Sequence, residues 1–109
     1  MNILVRSVGL PPSSALHLYV QQRVRFALYR LLPPTADVTV RLVDVNGPKG
    51  GIDKTCRIDV QGVPAEVFHV EARDMDFYAA TDAACSKLAE RLRRTSQKRR
   101  ESLRHRRAS

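Results

Sequence analysis

The stretch DVTVRLVDVNGPKGGIDKTCRIDVQGVPAEVFHVEA, residues 37–72, predicts three antiparallel strands. Apolar side chains alternate with polar ones in Val38–Leu42, in Cys56–Val60 and in Phe68–Ala72, and a period of two is typical of strands with one buried face. The segments NGPKGG and QGVP lie between these runs, and glycine and proline favour turns there. The middle of the chain therefore predicts a sheet.

The flanking segments predict one more strand and two helices. NILVRSVG, ending at Gly9, has the composition of a strand. A helix begins after Ser13 or Ser14, either of which can cap it, and ends before the prolines at Pro33. Its apolar residues recur at helical spacing: Leu16, Val20, Val24, Ala27, Leu28 and Leu31. A second helix begins near Asp74 or Asp76, buries Phe77, Ala80, Ala84, Leu88 and Leu92, and continues to about Arg100.

The predicted order β-α-β-β-β-α indicates the α+β class. We expect a two-layer sandwich in which a four-stranded sheet carries both helices on one face, as in double-stranded-RNA-binding domains. The first two strands should be parallel if they are neighbours, because a helix connects them. We expect one domain over residues 1–94 and a basic helical extension over 95–109.

The charge is distributed unevenly along the chain. The net charge of the 109 residues is +8, and residues from Lys87 to the end contain ten Lys or Arg against Glu90 and Glu101, a net of +8. Residues 1–86 are therefore neutral overall. A clustered excess of arginine indicates a polyanionic partner, because guanidinium groups bind phosphate through paired hydrogen bonds. A solvated, frayed tail is the alternative interpretation of such a run.

Other classes of function find little support. No apolar run is long enough to span a membrane, and nothing resembles a signal peptide, so we expect a cytoplasmic protein. Cys56 and Cys85 fit core positions, and no histidine, cysteine or carboxylate has catalytic or metal-ligand spacing. We therefore expect no enzyme, no catalytic residue, no metal, no cofactor, no membrane and no small-molecule substrate.

Three basic residues outside the second helix are further candidates. Lys49 lies in Gly47–Gly50, which matches the G-x-x-G loop of KH domains but joins two predicted strands, so we expect at most a hairpin contact with phosphate. Arg23 and Arg30 are seven residues apart and hence on nearly one face of the first helix. If the helices lie side by side, both arginines extend the basic surface.

The stretch DFYAATDAACSKLAERL, Asp76–Leu92, resembles the D-M-Y-A-A-I-D…K-L…L signature of ribosome hibernation promoting factors and related ribosome-associated translation inhibitors. The first helix is also similar, and the resemblance covers nearly the whole chain. Two positions differ within the signature, where Phe77 and Thr81 replace the usual Met and Ile. The positions that match are Asp76, Tyr78, Ala79, Ala80, Asp82, Lys87, Leu88 and Leu92.

This resemblance implies a protein that binds the small ribosomal subunit and its rRNA near the decoding centre, in the channel of mRNA and tRNA, and stores ribosomes in an inactive, hibernating state. The contact residues that we expect are Arg23, Arg30, Lys87, Arg91, Arg94, Lys98 and Arg99. Two departures affect individual contacts: Glu90 occupies a common Arg position, and Phe26 a frequent Lys position.

The resemblance is to the short form, without the separate dimerisation domain of long family members. We therefore expect that this chain alone does not pair ribosomes through that route, and that a separate ribosome-dimerising protein is the partner if pairing occurs. Two alternatives remain open at this point. One is a general double-stranded-RNA-binding module, and the other is a basic regulator that docks on an acidic protein.

Overall fold

The computed structural model describes residues 1–9, 13–44, 54–64 and 66–108. Four strands form one sheet: β1 (Asn2–Val8), β2 (Asp37–Asp44), β3 (Lys54–Val63) and β4 (Glu66–Asp74). Two helices, α1 (Ser14–Leu28) and α2 (Phe77–Ala108), complete the order β-α-β-β-β-α. The predicted α+β class and element order are confirmed.

The sheet is mixed, with strand order β1-β2-β3-β4. β1 is parallel to β2, as a helical connection between neighbours requires, and the other two pairs are antiparallel. The register between β3 and β4 shifts between Val60 and Val63. Gly62 lies at that shift, with φ 81°. The segment QGVP was predicted as a turn, but β3 continues through it as far as Val63.

Both helices pack on one face of the sheet and enclose a single apolar core. α1 contributes Val20, Val24 and Leu28, which are fully buried, and α2 contributes Leu88. The alternating strand residues Val38, Val40, Leu42, Cys56, Ile58 and Val60 form the other wall. The two-layer arrangement follows from these periods, since each element has one apolar side to bury.

The helix ends show how the sequence sets local structure. Ser13 caps α1 by accepting a hydrogen bond from the Leu16 amide at 3.3 Å, and Asp76 caps α2 by accepting one from the Ala79 amide at 2.9 Å. α1 ends at Leu28, and a tight turn before Pro33 bonds Leu31 N and Leu32 N to Leu28 O. Arg30 therefore lies beyond the first helix, where the sequence had placed it inside.

α2 is longer than predicted. It continues to Ala108 instead of ending near Arg100, so it comprises 32 residues and extends for about 48 Å at ~1.5 Å per residue. Arg, Lys, Gln and Glu are good helix formers and sustain its last turns. The helix is continuous across residue 94, and the division into a domain and an extension stays a prediction.

Candidate nucleic-acid interface

α2 leaves the core after Leu92 and carries its basic side chains into solvent. Every described side chain from Arg93 to Arg104 is exposed except Thr95, which is half-buried. No acidic residue other than Glu101 lies in that segment. The helix thus presents a cationic rod on a compact domain, and the molecule measures 59 × 25 × 19 Å.

α1 and α2 lie side by side and are joined through Asp82. The Tyr19 hydroxyl donates to Asp82 Oδ1 at 2.7 Å, and Arg23 Nε donates to the same oxygen at 3.0 Å. The hydrogen bond to Asp82 and burial raise the pKa of Tyr19. The rings of Tyr19 and Tyr78 meet edge to face, with centroids 4.8 Å apart. Arg23 is therefore held against α2.

Four of the predicted residues form one stripe of α2, on the side of the edge strand β4: Lys87, Arg91, Arg94 and Lys98. Their spacing of four, three and four residues keeps them on one helix face. Lys87 Nζ donates to the main-chain oxygen of Glu71 at 2.9 Å, and an Arg91 terminal nitrogen donates to that of His69 at 2.6 Å. We call these four residues the β4-side stripe.

The members of the β4-side stripe differ in how available they are to a ligand. Lys87 and Arg91 use part of their hydrogen-bonding capacity on the β4 edge, which would otherwise offer free carbonyl groups to other chains. Arg94 pairs with Glu90 one turn earlier, at 2.6 Å, while 69% of its side chain stays exposed. Lys98 has no polar partner among the described residues.

The other two predicted contacts lie elsewhere. Arg99 turns toward the sheet, where it pairs with Glu66 and donates to the Pro64 carbonyl at 3.4 Å. Arg30, in the turn after α1, donates through Nε to the Tyr29 hydroxyl at 2.7 Å and lies over that ring. Lys49 lies outside the described residues. The structure therefore brings together four of the seven predicted α1 and α2 contacts as a stripe, and places Arg23 at the helix–helix contact.

A second basic stripe of α2, on the side of α1, was not predicted from the sequence. Arg93, Arg100 and Arg104 line a solvent-open groove of about 450 Å³ together with Leu31 from the turn after α1. None of the three has a polar partner among the described residues. Their spacing of seven and four residues places them on one helix face, and this could have been recognised from the sequence. We call them the α1-side stripe.

The opposite face of the sheet carries a row of arginines that was likewise not predicted from the sequence. Arg6, Arg41 and Arg57 lie opposite one another in register on β1, β2 and β3. Arg57 pairs with Asp59 at 3.3 Å, whereas Arg6 and Arg41 have no carboxylate partner among the described residues. Only the strand register reveals this row, because the three residues are far apart in the chain.

No group of three or more His, Cys, Asp or Glu residues in the described ranges is placed to hold a metal ion. No helix in that part of the chain is both long and apolar enough to cross a membrane.

Comparison with known proteins agrees with this fold. Residues 3–100 match the family model described as "Sigma 54 modulation protein / S30EA ribosomal protein". The crystal structure of the Thermus thermophilus Protein Y N-terminal domain is similar at TM-score 0.70 and 26% identity, covering 87% of this chain and 99% of that one. A ribosomal subunit interface protein from Coxiella burnetii has the same fold at TM-score 0.70 and 18% identity, covering 89% and 99%. A search of curated protein sequences found no significant match.

Proposed function

The chain belongs to the family of sigma 54 modulation and S30EA ribosomal proteins, and we propose that it binds the small ribosomal subunit. Proteins of this family are associated with ribosomes and are not enzymes. The chain occupies the mRNA and tRNA channel near the decoding centre and holds ribosomes in an inactive state. The proposed place of action is the cytoplasm. A separate ribosome-dimerising protein is a proposed further partner.

The observation that supports this proposal is the cationic rod of α2 beyond Leu92. A predominantly positive rod suits a channel walled by rRNA phosphates, because each neutralised phosphate releases counterions and contributes to affinity. The core holds the base of α2 against α1 and the sheet, so the rod starts from a fixed position. Inhibition then needs no chemistry, since the bound protein and mRNA or tRNA compete for the same space.

The two basic stripes give the proposal a direct test. We would measure co-sedimentation with isolated subunits over a salt series, using wild type and two charge-reversal variants, Arg94→Glu/Lys98→Glu and Arg93→Glu/Arg100→Glu. The matched control is Arg41→Glu/Arg73→Glu, which makes the same charge change on the opposite face of the sheet. Each lost phosphate contact should reduce the salt slope by about one unit.

We expect wild type and the control to sediment with the small subunit, and at least one α2 variant to lose binding. Addition of mRNA and tRNA should displace the wild type. An equal loss of subunit binding in the two α2 variants and in the control would show that binding rests on nonspecific charge attraction. Efficient competition by a free RNA duplex would indicate a general double-stranded-RNA-binding module, and complexes that survive nuclease treatment of the RNA would indicate an acidic protein partner. Each of these results contradicts the proposal.

A further inference from the structure

A second groove lies between α1 and α2, nearer the core than the groove beside Leu31. It has a volume of about 630 Å³ and is open to solvent. Small side chains of both helices line it: Ala27, Cys85, Ser86 and Ala89. Two of these, Cys85 and Ala89, belong to the buried core, so the groove has a shallow, largely apolar floor. We call this the interhelical groove.

Phe26 stands at the interhelical groove with an exposed ring. Its exposure of 77% is the highest among the large apolar residues of the described chain. An exposed phenylalanine contributes little to folding, since its ring stays in water. The ring is therefore available to a planar ligand that enters the groove.

Two arginines flank this ring, one from each helix. Arg23 lines the groove and is oriented by its Nε bond to Asp82, and its two terminal nitrogens have no partner among the described residues. Arg93 lines the groove from α2 and has no polar partner there either. Glu90 also lines the groove, but its carboxylate accepts a hydrogen bond from Arg94 at 2.6 Å, which offsets its charge. The groove thus combines an exposed ring with two cations.

We propose that the interhelical groove binds an unpaired nucleotide of single-stranded RNA, with its base stacked on Phe26 and its flanking phosphates held by Arg23 and Arg93. This inference rests on the proposed function, which supplies RNA as the ligand. Aromatic rings bind bases that are not already stacked in a duplex, and arginines beside the ring hold the adjoining backbone. A paired RNA helix keeps its bases internal and offers none to Phe26.

The sequence contains no tryptophan, so Phe26→Trp introduces a single fluorescent reporter at the groove. We would titrate this variant with an unstructured RNA hexanucleotide and follow tryptophan emission together with the anisotropy of a dye on the RNA. The matched control is Leu18→Trp, because Leu18 is 55% exposed on the same helix and does not line the groove. Phe26→Ala and Arg93→Gln are then measured by anisotropy.

We expect the hexanucleotide to quench the tryptophan emission of Phe26→Trp saturably and to leave that of Leu18→Trp unchanged. Phe26→Ala should weaken hexanucleotide binding by about 5-fold or more, the loss of one stacked base. Arg93→Gln should reduce the salt slope by about one unit. A paired duplex of equal charge should leave the emission of Phe26→Trp unchanged.

Binding of the hexanucleotide without a change in the emission of Phe26→Trp, or no binding at low salt, would overturn the inference. Co-sedimentation of the same variant with the small subunit is scored separately. If Phe26→Trp sediments with the subunit but is not quenched by the hexanucleotide, the groove assignment fails and the proposed function stands. If the hexanucleotide quenches the tryptophan emission of Phe26→Trp but this variant does not sediment with the subunit, the groove assignment stands and the proposed function fails.

Discussion

Arg23 and Asp82 join the two helices, with Arg23 Nε 3.0 Å from Asp82 Oδ1. The same oxygen accepts the Tyr19 hydroxyl, so one carboxylate fixes two side chains of α1. The pair is partly exposed, with 31% of the Arg23 side chain and 47% of the Asp82 side chain accessible, so solvent screens it. Its main effect is to orient Arg23 at the interhelical groove.

Asp82→Ala should lower the free energy of unfolding by about 1 kcal/mol, because both donors of α1 lose their acceptor in a partly exposed site. Urea unfolding followed by circular dichroism measures this change. Asp82→Asn is the control, since its amide oxygen still accepts the Tyr19 hydroxyl. Equal stability of wild type and Asp82→Ala would show that the bonds contribute nothing to helix docking.

Gly62→Ala should destabilise the fold strongly. A Cβ at Gly62 would lie 2.3 Å from the main-chain oxygen of Thr35, and the backbone there has φ 81°. The positive φ alone costs about 1–2 kcal/mol for an L-residue, and the clash with backbone adds to it. The thermal midpoint should fall by several degrees, at about 4–8 °C per kcal/mol for a small domain.

Gly9→Ala is the matched control for this prediction. Gly9 has a similar φ of 78°, but among the described residues its added Cβ would approach only the Asp44 main-chain oxygen, at 3.4 Å. Gly9→Ala should therefore lose only the stability that the positive φ costs an L-residue, without the additional cost of a backbone clash. If Gly62→Ala and Gly9→Ala have equal thermal midpoints, the contact between Gly62 and Thr35 does not constrain the β3–β4 end of the sheet.

The two cysteine thiols should be unreactive in the folded protein at pH 9. Burial raises the pKa of Cys56 to about 12 and that of Cys85 to about 11, and neither residue is exposed. A raised pKa keeps the thiol protonated at pH 9, and the thiolate is the nucleophile. Alkylation by iodoacetamide, followed by mass spectrometry, should label neither site until denaturant is added. Rapid labelling of either site without denaturant would contradict the buried positions.

Arg41→Thr should stabilise the protein by about 0.2–1 kcal/mol, because like charges directly opposite on neighbouring strands repel each other. Arg41 lies between Arg6 and Arg57, and threonine suits a strand. Denaturant unfolding at low and high salt tests this, and the gain should shrink as salt screens the repulsion. Arg73→Thr is the control, because Arg73 is paired with Glu71 at 3.5 Å. A loss of stability in Arg41→Thr would show that the Arg41 stem packs favourably on the sheet.

Local sequence patterns determined much of this protein. The alternation in Val38–Leu42 and the apolar stripe of α1 set the strands, the helix and their buried faces, because hydrophobic period follows backbone geometry. Ser13 and Asp76 mark the starts of the helices, because each accepts a hydrogen bond from an amide three residues later in the chain. The concentration of charge after Lys87 is likewise visible in the chain itself. These properties depend on neighbours in sequence, which is why they could be predicted.

The tertiary structure decided which basic side chains stand together and which are occupied. Lys87 and Arg91 reach the β4 edge, and Arg99 turns to Glu66, although all three look alike in sequence. The strand register assembles Arg6, Arg41 and Arg57, and helix packing brings Phe26 and Arg93 to one groove. Such groupings depend on contacts between residues distant in the chain, and those contacts exist only once the sheet and helices have packed.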